Sequence, residues 1–189
     1  SLANCFLIAS PNMVDPNFEK TVIFITEHNA HHGAMGIVIN REGSFMLSSA
    51  CEQLHIDMPE DIRDFTFGWG GPVRTNSGFI FTSLEHKWPA TFYRSEELNL
   101  AISVSPDILR AHVLNEGPEK FYITLGCAGW DAGQLEKELE SDAWYVIPAD
   151  AHLIFDVPVQ NRYERALAYV GLDAVSTDAF LTSEVVGHA

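Results

Sequence analysis

Residues 21–40, TVIFITEHNAHHGAMGIVIN, set two runs of β-branched, aromatic and aliphatic side chains on either side of a polar loop of about seven residues. TVIFITE (21–27) is apolar on both faces. That composition suits a strand covered on both sides, so it reads as a central strand. MGIVIN (35–40) reads as its neighbour. With Gly33 in the loop between them, the natural connection is a β-hairpin.

Further strands are expected at CFLIA (5–9), at FTFGWGG and GFIFTS on either side of a Gly71-Pro72 turn, and more weakly near 90–94 and 100–104. SPNMVDPNFEK reads as a loop with a helical turn started by Asp15 and Pro16. A short helix over 48–56, capped by Ser48, precedes an acidic, turn-like stretch at 57–64. Three helices carry clearer punctuation. The first has Ser105 as N-cap, Pro106 at its first position and Gly117-Pro118 as its stop. The second begins at Asp131 with Gln134 completing a capping box; Leu135, Leu139 and Ala143 form its buried stripe. The third is capped by Asn161, turns Tyr163, Leu167 and Val170 inward, and ends at Gly171. FYITLG (121–126) and WYVIP (144–148) flank the second helix and predict a β-α-β crossover between neighbouring strands. Strands dominate the first half and alternate with helices in the second. The expectation is a single α+β domain over 1–189, with a mixed, bent sheet curled toward a pseudo-barrel and flanked by helices.

The net charge of −15 excludes one class of function. A DNA-binding chain draws most of its affinity from phosphate neutralisation. Here eleven basic residues are scattered, the densest pair being Arg162 and Arg165. Such a surface repels a duplex at long range, so no direct nucleic-acid contact is expected. No apolar run approaches the roughly 18 residues needed to cross a bilayer. The start, SLANCFLIASP, lacks the basic and long apolar regions of a signal peptide, which predicts a cytoplasmic protein without membrane contact. Cys5, Cys51 and Cys127 are odd in number and widely spaced, so they read as reduced, buried thiols.

Glu27, His28, His31 and His32 fall within six residues and raise the question of a metal site. Zinc needs three or four tetrahedral ligands. Neighbouring residues of an extended chain point to opposite sides, and a further ligand has to come from as far away as His188. A polar hairpin tip explains the cluster better. GWGGPVRT (68–75) lacks the Lys-Ser/Thr of a phosphate loop and reads as a bulge and turn. GCAGWDAGQ (126–134) runs from a strand into a helix N-terminus, an arrangement that suits an anion, but Asp131 already places negative charge there. The pairs Glu136/Glu140, Glu138/Asp142 and Asp57/Asp61 read as solvated faces, and His112 as a half-buried packing residue. No nucleophile elbow and no neighbouring Ser/His/Asp set is present. No cofactor, metal site or catalytic constellation is expected.

Four blocks in order resemble the AlgH/YqgE family of bacterial proteins: FLIASPNMVDPNFEKTVIFITEHNAHHGAMGIVIN, WGGPVRTNSGFIF, LGCAGWDAGQLEKELESDAWYVIPAD and the final GHA. The resemblance spans nearly the whole chain, from about Cys5 to Ala189. It implies the α+β fold with a sheet folded toward a pseudo-barrel. About function it implies little: the family is mostly called uncharacterised, and some members carry the label of transcriptional regulator, linked to exopolysaccharide (alginate) control. The family's motif residues fall here on Glu27, His28, Asn29, Gly36, Asn40, Gly70, Gly71, Pro72, Gly78, Gly129, Trp130, Gly133 and Gln134. Cys127 stands where the family commonly has an aromatic residue, so no family role attaches to this thiol. The candidate binding residues are Glu27, His28, Asn40, Gly70, Gly71, Pro72, Trp130 and Gln134. The expected function is a cytoplasmic regulatory protein that acts through contacts with a protein partner and affects transcription only indirectly. The alternative is a small-molecule binder or enzyme with a cleft near Glu27, His28 and Gly70–Pro72.

Overall fold

The hairpin forms as its composition requires. β2 (Val22–Asn29) and β3 (Gly33–Val38) run antiparallel, with Phe24 opposite Ile37 and His28 opposite Ala34. The computed structural model describes residues 1–171; His188 and the final GHA block lie outside the described residues. Around the hairpin a single sheet builds in the order β10 (Trp144–Pro148), β1 (Cys5–Ala9), β2, β3, β9 (Phe121–Trp130), β6 (Val73–Thr82), β8 (Leu100–Ser103) and β7 (Thr91–Ser95). A side branch adds β4 (Glu42–Met46), paired with β5 (Thr66–Trp69), which lies parallel to β9.

The sheet curls into a half-barrel with flanking helices. Phe24 of the hairpin meets Tyr93 of β7, the far edge strand, edge-on at 5.3 Å, and the Tyr93 hydroxyl reaches the Asn4 side chain. Phe6, Phe24, Ile37, Phe79, Phe81 and Ile102 fill the concave side. A helix over 162–171 closes it, with Tyr163, Leu167 and Val170 turned inward as expected. Arg162 departs from the expectation of a scattered surface charge. It is buried, its Nε and Nη1 donate to the Val157 and Ile39 carbonyls, and its guanidinium lies 4.4 Å from the Tyr122 ring centre. Gly171 is still helical, so the expected stop lies outside the described residues. On the convex side, α1 (Leu47–Gln53) and α2 (Asp107–Val113) cover one apolar cluster and α3 (Gln134–Glu140) covers another.

Several local expectations change. Ser48 is not a cap: α1 starts one residue earlier, and the Ser48 N–H donates to Asp64 Oδ1. Ser105 does accept the Asp107 N–H at the start of α2, but the helix stops at Val113. The turn there comes from Asn115 in a left-handed conformation, before Gly117-Pro118 is reached. β9, α3 and β10 do form a crossover, yet β10 pairs with β1, so the connection passes over β3, β2 and β1. Two short elements, β4 and α4 (Ala151–Phe155, capped by Asp150), carry too little periodicity to be read in advance.

The Gly70-Gly71-Pro72 segment does more than turn. β5 lies on one edge of β9 and β6 on the other, because Thr124 pairs with both Gly68 and Phe79. The connecting residues therefore cross over β9. A Cβ on Gly70 would stand 2.2 Å from the Gly126 oxygen, one on Gly71 2.1 Å from the Cys127 oxygen, and one on Gly126 2.3 Å from the Gly71 oxygen. Two backbones meet here at a separation that only glycine allows.

Candidate functional site

Two registers place His28 of β2, Ala34 of β3 and Trp130 of β9 in one row across three adjacent strands. Side chains in such a row share a face, with neighbours about 4.8 Å apart. α3 lies over this face. At about 100° per residue, Leu135 and Leu139 point down to the sheet while Glu136 and Glu138 flank them on opposite sides. Each carboxylate reaches one end of the row.

On one side, His28 Nδ1 accepts the Leu2 N–H at 3.0 Å. That leaves the ring proton on Nε2, which donates to Glu136 Oε1 at 3.0 Å. This hydrogen bond holds the Glu136 carboxyl below the ordinary glutamate range. Glu136 is therefore not the solvated-face residue expected from its spacing to Glu140; it ties α3 to β2 and to the N-terminal residues.

On the other side, Glu138 Oε1 accepts the Trp130 indole N–H at 3.0 Å and the Trp144 indole N–H at 2.9 Å. Its Oε2 accepts from the Gln134 side-chain amide at 3.0 Å. The two indoles are 5% and 4% exposed, so their N–H groups need a partner within the protein. Glu138 too departs from the expected solvated face. Three of its roughly four acceptor positions are taken, which leaves it poorly placed to serve as a base. Gln134 Oε1 accepts the Asp131 N–H at 3.0 Å, so one half of the expected capping box forms. The Asp131 side chain does not cap; Gly133, with φ +79°, stands at the N-cap instead. With the Asp131 N–H occupied, the helix start offers less to an anion than the bare sequence suggested.

Beside Trp130 opens a cleft of about 360 Å³ between α3 and the 12–18 loop. Met13, Val14, Phe18 and Trp130 supply its apolar walls; Asp15, Gln134 and Glu138 supply polar groups. Phe18 stacks on Trp130 at 6.3 Å and meets Trp144 edge-on at 5.9 Å. Asp15 shapes the loop by accepting the Asn17 N–H at 2.9 Å. Val14 stands 90% exposed at the rim.

Of the eight candidate residues, the structure gathers His28, Trp130 and Gln134 around α3. Glu27 points to solvent on the opposite side of β2 from His28. Asn40 joins two chain segments: its Oδ1 accepts the Val22 N–H and its Nδ2 donates to the Lys20 carbonyl. Gly70 and Gly71 serve the crossing at Leu125–Cys127, and Pro72 is exposed beside it. This crossing lies about four residues of β9, roughly 13 Å, from the Trp130 end of the row. His31 and His32 lie exposed at the hairpin tip, where Asn29 Oδ1 accepts the His31 N–H. Among the described residues, no group of three or more His, Cys, Asp or Glu side chains is placed to hold a metal ion. Sequence reasoning missed the roles of Glu136 and Glu138. The signal for Glu138 was present in the two tryptophans, 130 and 144, that flank the helix: of the three glutamates between them, 136, 138 and 140, Glu138 accepts both indole N–H groups.

A family model described as AlgH-like matches residues 6–175. A UPF0301 protein of Thiobacillus denitrificans is 41% identical over all of this chain and 98% of its own length. The UPF0301 protein AlgH of Pseudomonas aeruginosa is 42% identical, over all of this chain and 96% of its own. The solution structure of AlgH from Pseudomonas aeruginosa superposes with a TM-score of 0.75 at 41% identity, covering all of this chain and 96% of that one. A crystal structure of a Corynebacterium diphtheriae protein shares the fold, with a TM-score of 0.65 at 18% identity over 85% of this chain. From Phe6 onward, through the hairpin, the glycine crossing and the tryptophan-flanked helix α3, the chain belongs to the AlgH-like family of UPF0301 proteins.

Proposed function

We propose that this protein works by docking a protein partner at the cleft between α3 and the 12–18 loop, and that any effect on transcription is indirect. The observation that carries the reading is the state of the polar groups at the cleft. Both oxygens of Glu138 accept hydrogen bonds from within the protein and Asp15 accepts the Asn17 N–H, so these carboxylates hold structural positions beside walls that offer apolar contact. Aromatic walls under an exposed aliphatic rim are the composition of an interface anchor. A net charge of −15 argues against phosphate contacts as the route to transcriptional control. Three free cysteines with no disulfide between them suit a reducing compartment, in line with a cytoplasmic role. Among the described residues, no helix is long and apolar enough to cross a membrane.

Site-specific photocrosslinking in the protein's own cells tests this. A photoreactive residue placed at Val14 is expected to capture one protein of defined mass, and the same residue at His31 to capture none. Equal capture at both positions, or none at Val14, contradicts the proposal.

A further inference from the structure

We infer that the cleft recognises a short basic peptide segment of its partner, in which an apolar side chain stands next to a lysine or arginine. The inference rests on the reading of the cleft as a protein-contact site and adds the chemistry of what enters it. Among the described residues, the cleft is lined by Asp15 and Glu138 and by no Lys, Arg or His. Its charge is therefore uncompensated within the site, in a chain that is already strongly negative overall. Phe18, Trp130 and Met13 provide a wall for an aliphatic or aromatic anchor. The Trp130 face also suits the stem and head of a cation beside it. Asn12 and Ser141 place further polar groups at the cleft. At about 360 Å³ the volume takes a segment of a few side chains and not a folded surface. Glu138 is rigid before anything binds, because its two indole donors fix it from beneath. A cation meets a carboxylate that needs no reorganisation.

Three blocked pentapeptides separate charge from apolar content: Lys-Leu-Lys-Leu-Lys, Lys-Ser-Lys-Ser-Lys and Glu-Leu-Glu-Leu-Glu. Each is titrated into the full chain while the indole N–H resonances of Trp130 and Trp144 are followed. The first is expected to shift these two resonances saturably, and less so as salt rises. The second is expected to give diffuse shifts that include the acidic 57–64 loop, and the third none. Asp15→Asn keeps the oxygen that accepts the Asn17 N–H and removes only the charge; it is expected to weaken binding about two- to fivefold. Val14→Ser, at a side chain outside the core, is expected to weaken it about tenfold. The inference is overturned if the serine peptide moves the two indoles as strongly as the leucine peptide, if the acidic peptide binds equally, or if no peptide moves them. The crosslink at Val14 tells the two readings apart. Capture of a protein there with no peptide binding removes only the basic-segment chemistry. Absence of both removes the docking site itself.

Discussion

Removing the Glu138 carboxylate isolates the brace that fixes α3. In Glu138→Ala, two indole N–H groups that are 5% and 4% exposed lose their acceptor together. A buried donor left unpaired costs about 1–3 kcal/mol. The open cleft lets water reach the vacated position, which favours the lower half of that range for each indole. The Gln134 bond is exposed and adds a few tenths. The total is about 3 kcal/mol, a large share of the 5–15 kcal/mol that holds a typical domain. Urea unfolding should show a lower midpoint with an unchanged slope, since no large surface is newly exposed. Trp144→Phe removes one donor along with its need for a partner. In the double mutant, Glu138→Ala should therefore cost about 1 kcal/mol less than it does alone. A loss below about 0.5 kcal/mol for Glu138→Ala, or strict additivity in the cycle, would refute the brace.

The glycine crossing predicts a contrast. Gly71→Ala drives a Cβ into the Cys127 carbonyl and should cost about 4 kcal/mol or prevent folding. Gly133→Ala meets open space and should cost only the strain of its positive φ, about 1 kcal/mol; equal losses in urea unfolding would contradict the crossing. Arg162→Met leaves the Ile39 and Val157 carbonyls without their donor and should cost about 3 kcal/mol, measured the same way. His112 sits edge-on to Phe121 at 4.7 Å and to Phe65 at 6.2 Å, and burial pushes its pKa below the ordinary histidine value. The unfolded chain therefore binds the proton more readily, so stability falls as pH drops through about 6.5. His112→Gln should flatten the slope of the urea midpoint between pH 7.5 and 5.5, and an unchanged slope would contradict this.

The strands of the hairpin were legible because VIFIT and GIV are apolar on both faces, and only a central position in a sheet satisfies that. The start of α2 was legible from Ser105, and Gln134 marked the first turn of α3, although the helix begins at Gln134 and not at the expected cap, Asp131. What sequence could not show was any partner supplied from a distance. β10 reads as a strand, but nothing in WYVIP says that it pairs with β1 and not with β9. The carboxylates of α3 carry a surface-like spacing, and their partners His28, Trp130 and Trp144 come from three different strands. Gly70 and Gly71 read as turn residues. That they let one backbone cross another depends on Gly126, more than fifty residues away. The resemblance to the family marked His28, Trp130 and Gln134 without saying what they touch. Their shared neighbour is α3, and the cleft beside it joins them to the 12–18 loop.

We propose that a protein partner occupies that cleft. Native mass spectrometry on the protein gently isolated from its own cells tests it most directly, comparing the unaltered chain with Val14→Asp. A complex with one protein of defined mass is expected for the unaltered chain, and its loss in the variant while the fold is retained. A chain that carries a stoichiometric small molecule and no protein would contradict it, and so would a complex indifferent to Val14→Asp.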